Sequence, residues 1–188
     1  MFVASVLPWV RLVMGAFANT LGTNPLELIT RSTGTWTLVF LCITLAVTPL
    51  RKLSGWQWLA QTRRMFGLFV FFYAACHFLA FVWFDHFFDV AAIWKDVIKR
   101  PFVTVGFVAL VLLTPLALTS TKRMARHLGA RRWRRLHRCV YAVGVLGVLH
   151  YWWLVKRDLS QPILYAAVIV LLLGLRLWWW RGKSSVGA

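Results

Sequence analysis

Six apolar stretches constrain what this chain can fold into more than any other feature. They occupy residues 2–21, 35–50, 65–84, 102–119, 136–154 and 163–180. A helix needs about 20 mostly apolar residues to cross the hydrocarbon core of a bilayer. Because 60% of the 188 residues are hydrophobic and only 14% are charged, the polar surface is too small to coat a soluble globule. The sequence therefore predicts an all-α membrane protein, a six-transmembrane-helix bundle that forms one domain over residues 1–188.

The distribution of basic residues predicts how the bundle is oriented. The chain has 22 Lys and Arg against 5 Asp and Glu, a formal net charge of +17. The basic residues are concentrated after the second and fourth stretches and in the C-terminal tail. Since Lys and Arg accumulate in cytoplasmic connections, both termini are predicted to be cytoplasmic. The basic residues lie between apolar runs rather than along one helix face, so we expect contacts with membrane lipid and none with nucleic acid.

Two histidines lie inside apolar stretches, where an ionisable side chain is costly and usually functional. They are His77 in FFYAACHFLAF and His150 in VLGVLHYWWL. Their stretches cross the membrane in the same direction, and they lie 13 residues beyond Arg64 and 15 beyond Arg135. At the helical rise per residue, both are roughly 20 Å from the basic edge. A pair at one depth predicts a shared metal centre in the bundle core; the alternative is that each histidine hydrogen-bonds to a neighbouring helix.

The remaining residue types favour haem over a bare metal ion. All five carboxylates lie in connections or at the ends of stretches, and none of the three cysteines has the paired spacing of a zinc or redox motif. Zinc usually needs four ligands, and magnesium or calcium needs oxygen ligands. Two histidines in an aromatic lining instead suit a six-coordinate haem. Since the sequence contains no Cys-x-x-Cys-His, we predict a non-covalent haem b.

A third histidine, His137, lies at the start of the fifth stretch, in RRWRRLHRCVY. It is 13 residues before His150, about 20 Å along a straight helix and about 140° around it. The third stretch has Arg63 and Arg64 at that depth, so these residues alone provide no bis-histidine site there. His137 is either a ligand or contact of a cofactor, or an interfacial residue beside lipid phosphate. The two arginines either bind an anionic cofactor or set topology and contact lipid headgroups.

Several segments resemble those of the MsrQ family, the haem-binding membrane subunits of the bacterial periplasmic methionine-sulfoxide reductase system. They are TGTWTLVFLCITLAVTPLRKL, TRRMFGLFVFFYAACHFLAF, KRPFVTVGF, LALTSTKRMARHLGARRWRRLHRCVYAVGVLGVLHYWWLVK and the last run, which ends in LRLWWW. More distantly, the chain is similar to ferric reductases and NADPH oxidases without their soluble dehydrogenase domain. The resemblance implies a single ferric reductase-like transmembrane domain in the bacterial inner membrane.

The resemblance also implies a function that spacing alone does not provide. Family members pass electrons from the quinone pool to a soluble periplasmic molybdenum enzyme, the partner in a heterodimer, which reduces methionine sulfoxide in damaged proteins. The implied cofactors are haem b and FMN, and the family's haem histidines correspond to His77, His137 and His150. Because the sequence has no dinucleotide-binding fingerprint, the electrons must come from a separate donor. Two alternatives stay open: a stand-alone reductase of ferric ions or oxygen fed by a cytoplasmic flavin reductase, and a non-redox haem-handling membrane protein.

Overall fold

A computed structural model describes residues 1–155 and 157–184 of the chain, with side chains as far as residue 180. Within these residues the backbone is helical and contains no strand. The helices are α1 (Phe2–Phe17), α2 (Pro25–Ser54), α3 (Leu59–Ala80), α4 (Val90–Lys99), α5 (Pro101–Leu118), α6 (Lys122–His137), α7 (Cys139–Leu154) and α8 (Ser160–Ser184). A π-helical turn, Phe81–Asp85, extends α3.

The lengths of the helices agree with a membrane protein. Among the described residues, four helical segments are long and apolar enough to cross a membrane: α2, α3 with its π-helical turn, α5 and most of α8. Helices α1 and α7 have 16 residues each. That is about 24 Å of helix, less than the hydrocarbon thickness of about 30 Å. The all-α membrane fold is confirmed. The count of six membrane-spanning helices stays a prediction.

The connection between α6 and α7 is nearly helical. Arg138 separates the two helices and has φ −70° and ψ −20°, which are right-handed helical values. The sharper break lies earlier, at Gly129, where φ is +73° and only glycine is comfortable. The backbone from residue 130 therefore leads into α7 with one tightened turn, and His137 lies at that turn.

Helix α2 begins ten residues before the apolar stretch at 35–50, for a local reason. The Asn24 side chain accepts a hydrogen bond from the backbone N–H of Glu27, and Pro25 occupies the first helical position. Both are signals that start a helix. The early start matters because it places Thr30 and Gly34 inside the helix, where they face α3.

The core consists of aromatic and aliphatic side chains from α2, α3, α5, α7 and α8. Its most buried members are Leu41, Leu45, Val70, Tyr73, Val143 and Ile169. Helix α2 packs mainly against α3, and α5 packs mainly against α7. These two helix pairs position the site, because His77 belongs to α3 and His150 to α7.

Tyr73 fastens α1 to this core. Its hydroxyl donates to the carbonyl of Ser5 at 2.8 Å and accepts from the backbone N–H of Trp9 at 3.2 Å. Ser5 and Trp9 are four residues apart, the spacing of a single helical hydrogen bond, so the hydroxyl bridges the two groups beside Pro8. Side chains inserted into a helical ladder in this way, and prolines, are causes of local bends.

Candidate functional site

The structure brings His77 and His150 together in the bundle. Their ring centres are 6.1 Å apart, and the ring planes are 82° from parallel. Two imidazoles that bind one metal ion through Nε2, with bonds of about 2 Å, have their ring centres about 6 Å apart. The observed separation therefore suits two ligands of one ion.

Each ring is oriented by a backbone carbonyl of the helix packed against it. Nδ1 of His77 donates to the Thr30 carbonyl at 2.9 Å, and Nδ1 of His150 donates to the Phe102 carbonyl at 2.7 Å. A carbonyl oxygen only accepts, so these contacts assign the proton to Nδ1 and leave a lone pair on Nε2. Metal-binding histidines are commonly held by such a bond from the other ring nitrogen, which fixes the tautomer.

A glycine lies one helical turn beyond each of these two carbonyls. A Cβ atom at Gly34 would lie 3.2 Å from ring atoms of His77, and one at Gly106 would lie 2.8 Å from Nδ1 of His150. Both rings thus pack against a glycine backbone, where a side chain would collide with them. The same carbonyl-plus-glycine arrangement, with a spacing of four residues, occurs on α2 and α5. Of these supporting residues only the two glycines have a distinctive side-chain identity, because every residue carries a backbone carbonyl.

The surroundings of the pair fit haem better than a protein-only metal site. In the part of the chain that the structure describes, no three or more His, Cys, Asp or Glu side chains are grouped to hold a metal ion. Zinc sites in proteins have three or four protein ligands, and two histidines do not complete one. A haem contributes four ring nitrogens and leaves two axial positions. The residues present therefore fit a haem with His77 and His150 as axial ligands.

His137 does not join this pair. Its Nε2 lies 3.1 Å from the hydroxyl oxygen of Thr119, and its ring stacks on Trp133 with centres 3.9 Å apart. The Thr119 hydroxyl donates to the Pro115 carbonyl at 2.6 Å. That hydroxyl therefore accepts from His137, whose Nε2 carries the proton. In this arrangement Nε2 of His137 is a hydrogen-bond donor rather than a free ligand atom.

Arg63 and Arg64 face different surroundings, although they are adjacent in the sequence. Arg63 is half-buried, and its charge interacts with those of Arg51 and Arg176. It also interacts electrostatically with His137. Arg64 is exposed. The side chains of successive helical residues point about 100° apart. Arg63 therefore points into the bundle, whereas Arg64 points away from it.

Arg176 is an inward-facing charge that the apolar pattern of the last stretch conceals. Its Nη2 donates to the Leu45 carbonyl at 2.6 Å, and its guanidinium lies 5.0 Å from the ring centre of Tyr141. The residue four positions after Leu45 is Pro49, which has no N–H to donate. Arg176 thus satisfies a carbonyl that Pro49 leaves unpaired. Its Nε is buried and has no hydrogen-bond partner among the described residues.

Comparison with known proteins decides the family. Residues 33–148 match the ferric reductase like transmembrane component. The chain is 55% identical to a protein of Herminiimonas arsenicoxydans, over 100% of this chain and 88% of that protein. It is 56% identical to one of Ralstonia nicotianae (96% and 85% covered) and 52% identical to one of Bordetella pertussis (98% and 91% covered). All three are named protein-methionine-sulfoxide reductase heme-binding subunit MsrQ. This chain belongs to the MsrQ family.

Membership of the MsrQ family confirms the resemblance and the ferric reductase-like fold class predicted from the sequence segments. The matched region contains His77, His137 and both glycines that lie against the histidine rings, and it ends two residues before His150. No solved structure matches this MsrQ-family chain.

The contact between Arg176 and Leu45 gives a prediction about stability. Arg176→Leu leaves the Leu45 carbonyl without a partner, so we expect the free energy of unfolding to fall by about 1–3 kcal/mol. Arg64→Leu, at an exposed arginine, is the matched control and should change stability little. The measurement is unfolding of the purified protein in detergent.

A double-mutant cycle separates this contact from other effects of Arg176. Pro49→Ala restores an N–H four residues after Leu45, so Arg176→Leu should cost less in that background than in the wild type. Equal costs in the two backgrounds would contradict the role assigned to Arg176.

Proposed function

We propose that this chain is a membrane electron-transfer subunit that binds haem b between His77 and His150 and delivers electrons to a methionine-sulfoxide reductase. The observation that carries the proposal is the pair of histidines, both with Nδ1 bonded to a carbonyl and ring centres 6.1 Å apart. The names of the relatives, which describe a heme-binding subunit, support the same conclusion. A haem held by both His77 and His150 would have no free position on the iron for a substrate, which would suit it to transferring electrons.

The chain's own residues hold and tune this centre. When bound, haem supplies a one-electron redox couple. The Thr30 and Phe102 carbonyls orient the rings and raise the basicity of Nε2. The Phe102 ring lies beside that of His150, with centres 6.4 Å apart, and burial among such side chains is one of the factors that set the potential of a haem.

A second layer, around Arg63 and His137, is proposed to receive an anionic cofactor such as FMN. All five Asp and Glu residues lie in α4 or at the ends of the spans that are away from Arg63 and His137. They are Glu27, Asp85, Asp89, Asp96 and Asp158. In the part of the chain that the structure describes, Arg51, Arg63 and Arg176 therefore form no ion pair with an acidic side chain. A flavin phosphate or a haem propionate would neutralise them through charge-assisted hydrogen bonds.

His137 and Arg64 have different roles in this proposal. His137 contacts the cofactor of the second layer; to bind iron through Nε2 it would have to give up its hydrogen bond to Thr119. Arg64, which is exposed, contacts lipid headgroups at the same edge of the bundle. The hydrogen bond between His137 and Thr119 supports the first role, and the exposure of Arg64 supports the second.

The basic connections predict how the proposed electron path is oriented in the membrane. Their distribution assigns the Arg63 layer to the cytoplasmic side of the bacterial inner membrane, with both termini cytoplasmic. The proposed electron donor is quinol from the membrane. The proposed acceptor is a periplasmic molybdenum-containing reductase subunit that forms a heterodimer with this chain. Reduction of the sulfoxide then takes place on that partner.

The match to the ferric reductase like component favours one other function. A stand-alone transmembrane reductase would pass electrons from a cytoplasmic flavin reductase to ferric ions or oxygen. The two functions differ in the electron donor, because the first needs quinol and the second needs a reduced flavin.

Spectroscopy of the purified protein tests the proposed function. We expect stoichiometric haem with sharp b-type bands that a quinol analogue reduces. His137→Ala should retain this spectrum but slow the reduction, because His137 lies about 20 Å from the His150 layer by helical rise. The control is His127→Ala, at an exposed position of α6, which should reduce at the wild-type rate.

The outcomes distinguish the alternatives. Reduction by a flavin reductase and not by quinol would favour the stand-alone reductase. Absence of stoichiometric haem would contradict both redox functions. A wild-type rate in His137→Ala, with all cofactors retained, would make His137 an ordinary interfacial residue.

A further inference from the structure

Helix α4 joins two membrane-spanning helices through very short connections. Four residues separate it from the π-helical turn that ends α3, and Arg100 alone separates it from α5. The Asp89 side chain caps its start by accepting from the backbone N–H groups of Ala91 and Ala92, at 2.9 and 3.1 Å. A ten-residue helix held in this way must stay close to the membrane surface where these two spans end.

One face of α4 is fixed to the protein. Val97 is 5% exposed, and its carbonyl accepts a hydrogen bond from the Thr104 hydroxyl in α5. On the polar side, Asp96 lies 3.2 Å from Nε2 of His86 and 3.3 Å from Nη1 of Arg100. These contacts determine which way the helix is turned about its axis.

The adjoining face carries an exposed apolar stripe, defined by Val90, Trp94 and Ile98. Their exposed fractions are 65%, 52% and 75%, and their spacing of four residues keeps them on one side of the helix. Exposed Lys95 and Lys99 lie about 100–140° around the axis from Trp94. The edge of the stripe touches the protein, because the Trp94 ring packs edge-on against Phe107 of α5 with ring centres 5.7 Å apart. Helix α4 thus has three sides: one packed on the protein, one apolar and largely exposed, and one basic.

The turn before α4 extends the apolar surface. Phe87 and Phe88 are exposed and have φ values of +46° and +65°, a left-handed conformation that is unfavourable for residues other than glycine. Two large exposed rings suit a turn in contact with lipid rather than with water. Trp83, at the end of the α3 span, is also exposed, and its ring centre lies 6.4 Å from that of Phe88. Exposed aromatic rings thus extend from the end of this span to the turn that precedes α4.

We propose that α4 is an interfacial helix whose Val90, Trp94 and Ile98 side chains insert into the bilayer. An apolar face that contains Trp, flanked by a face that contains Lys, is typical of helices that lie in the membrane interface, and Trp favours this region. Phospholipid is the proposed contact of this stripe because α4 is joined at both ends to spans that are themselves surrounded by lipid. A soluble partner would instead meet α4 on the side of Lys95 and Lys99.

Nitroxide scanning in proteoliposomes tests this assignment. The three native cysteines are replaced by serine, and single cysteines are introduced at residues 90, 94, 95, 98 and 99 of the full-length chain. Labels at 90, 94 and 98 should collide readily with oxygen, which concentrates in the bilayer, and poorly with a water-soluble nickel chelate. Labels at 95 and 99 should show the reverse preference.

A matched pair of charge substitutions provides an independent measurement. Ile98→Asp should expose a label at position 90 to the nickel chelate, because a charge in the stripe disfavours insertion, whereas Lys99→Asp should leave that label protected. Similar access to the chelate at 90, 98 and 99 in the unsubstituted helix would overturn the proposal. So would protection of the stripe that appears only when a soluble protein partner is added.

Discussion

His77→Ala and His150→Ala are each expected to abolish the low-spin haem b spectrum. The two rings lie at the spacing of two ligands to one ion and both keep Nε2 free, so removal of either ring would take away one of the two residues that would hold the haem. Each variant is purified under identical conditions. The haem content per protein and the reduced-minus-oxidised spectrum are then measured.

Two other histidines serve as controls for this result. His86 follows the π-helical turn that ends α3 and contacts Asp96 of α4. His127 is exposed on α6. Neither lies near the pair, so His86→Ala and His127→Ala should retain the wild-type spectrum. Full retention of haem in both His77→Ala and His150→Ala would refute the assigned ligands. Loss of the same spectrum in His137→Ala would show that the depth argument pairs the wrong histidines.

Gly106→Ala should reduce the haem content more than either Gly34→Ala or Gly174→Ala. A Cβ atom at this position would lie 2.8 Å from Nδ1 of His150, the same atom that donates to the Phe102 carbonyl. The ring must move by more than about half an ångström to avoid it, which is the tolerance of a preorganised site. Both the orientation of the ligand and its supporting hydrogen bond are therefore disturbed.

The other glycines predict an order of effects. Gly34→Ala should cause a smaller loss, because its Cβ atom would lie 3.2 Å from ring atoms of His77. Gly174→Ala in α8 is the matched control, since nothing lies within 4 Å of a Cβ atom there. In that helix, alanine is expected to be neutral or slightly stabilising. Equal haem contents in the Gly106 and Gly174 variants would show that the ring does not depend on the bare backbone.

The sequence by itself determined the class of the fold and the central pair of histidines. Apolar length fixes a membrane helix because the thickness of the bilayer is an external constraint. Depth along a helix follows from the number of residues, so counting from the basic edges was enough to place His77 and His150 at one depth. The approach of their rings to 6.1 Å is decided by the packing of the helices. The same count separated His137 from His150, which agrees with its position beside Thr119.

Only the tertiary structure decided which residues support the site. The carbonyls of Thr30 and Phe102 are backbone groups, which every residue carries, so side-chain identity gives no indication that they hold the histidines. The early start of α2 was also needed to place Thr30 opposite His77.

The orientation of charges likewise depends on how the helices pack. The sequence treats Arg63 and Arg64 alike, and packing against the rest of the bundle turns only Arg63 inward. Arg176 lies near the end of an apolar run, and nothing in that run indicates its contact with Leu45, which connects it to Pro49, 127 residues earlier in the chain. Length and periodicity are properties of one segment, whereas hydrogen-bond partners are properties of two, and their pairing is fixed only when the helices pack together.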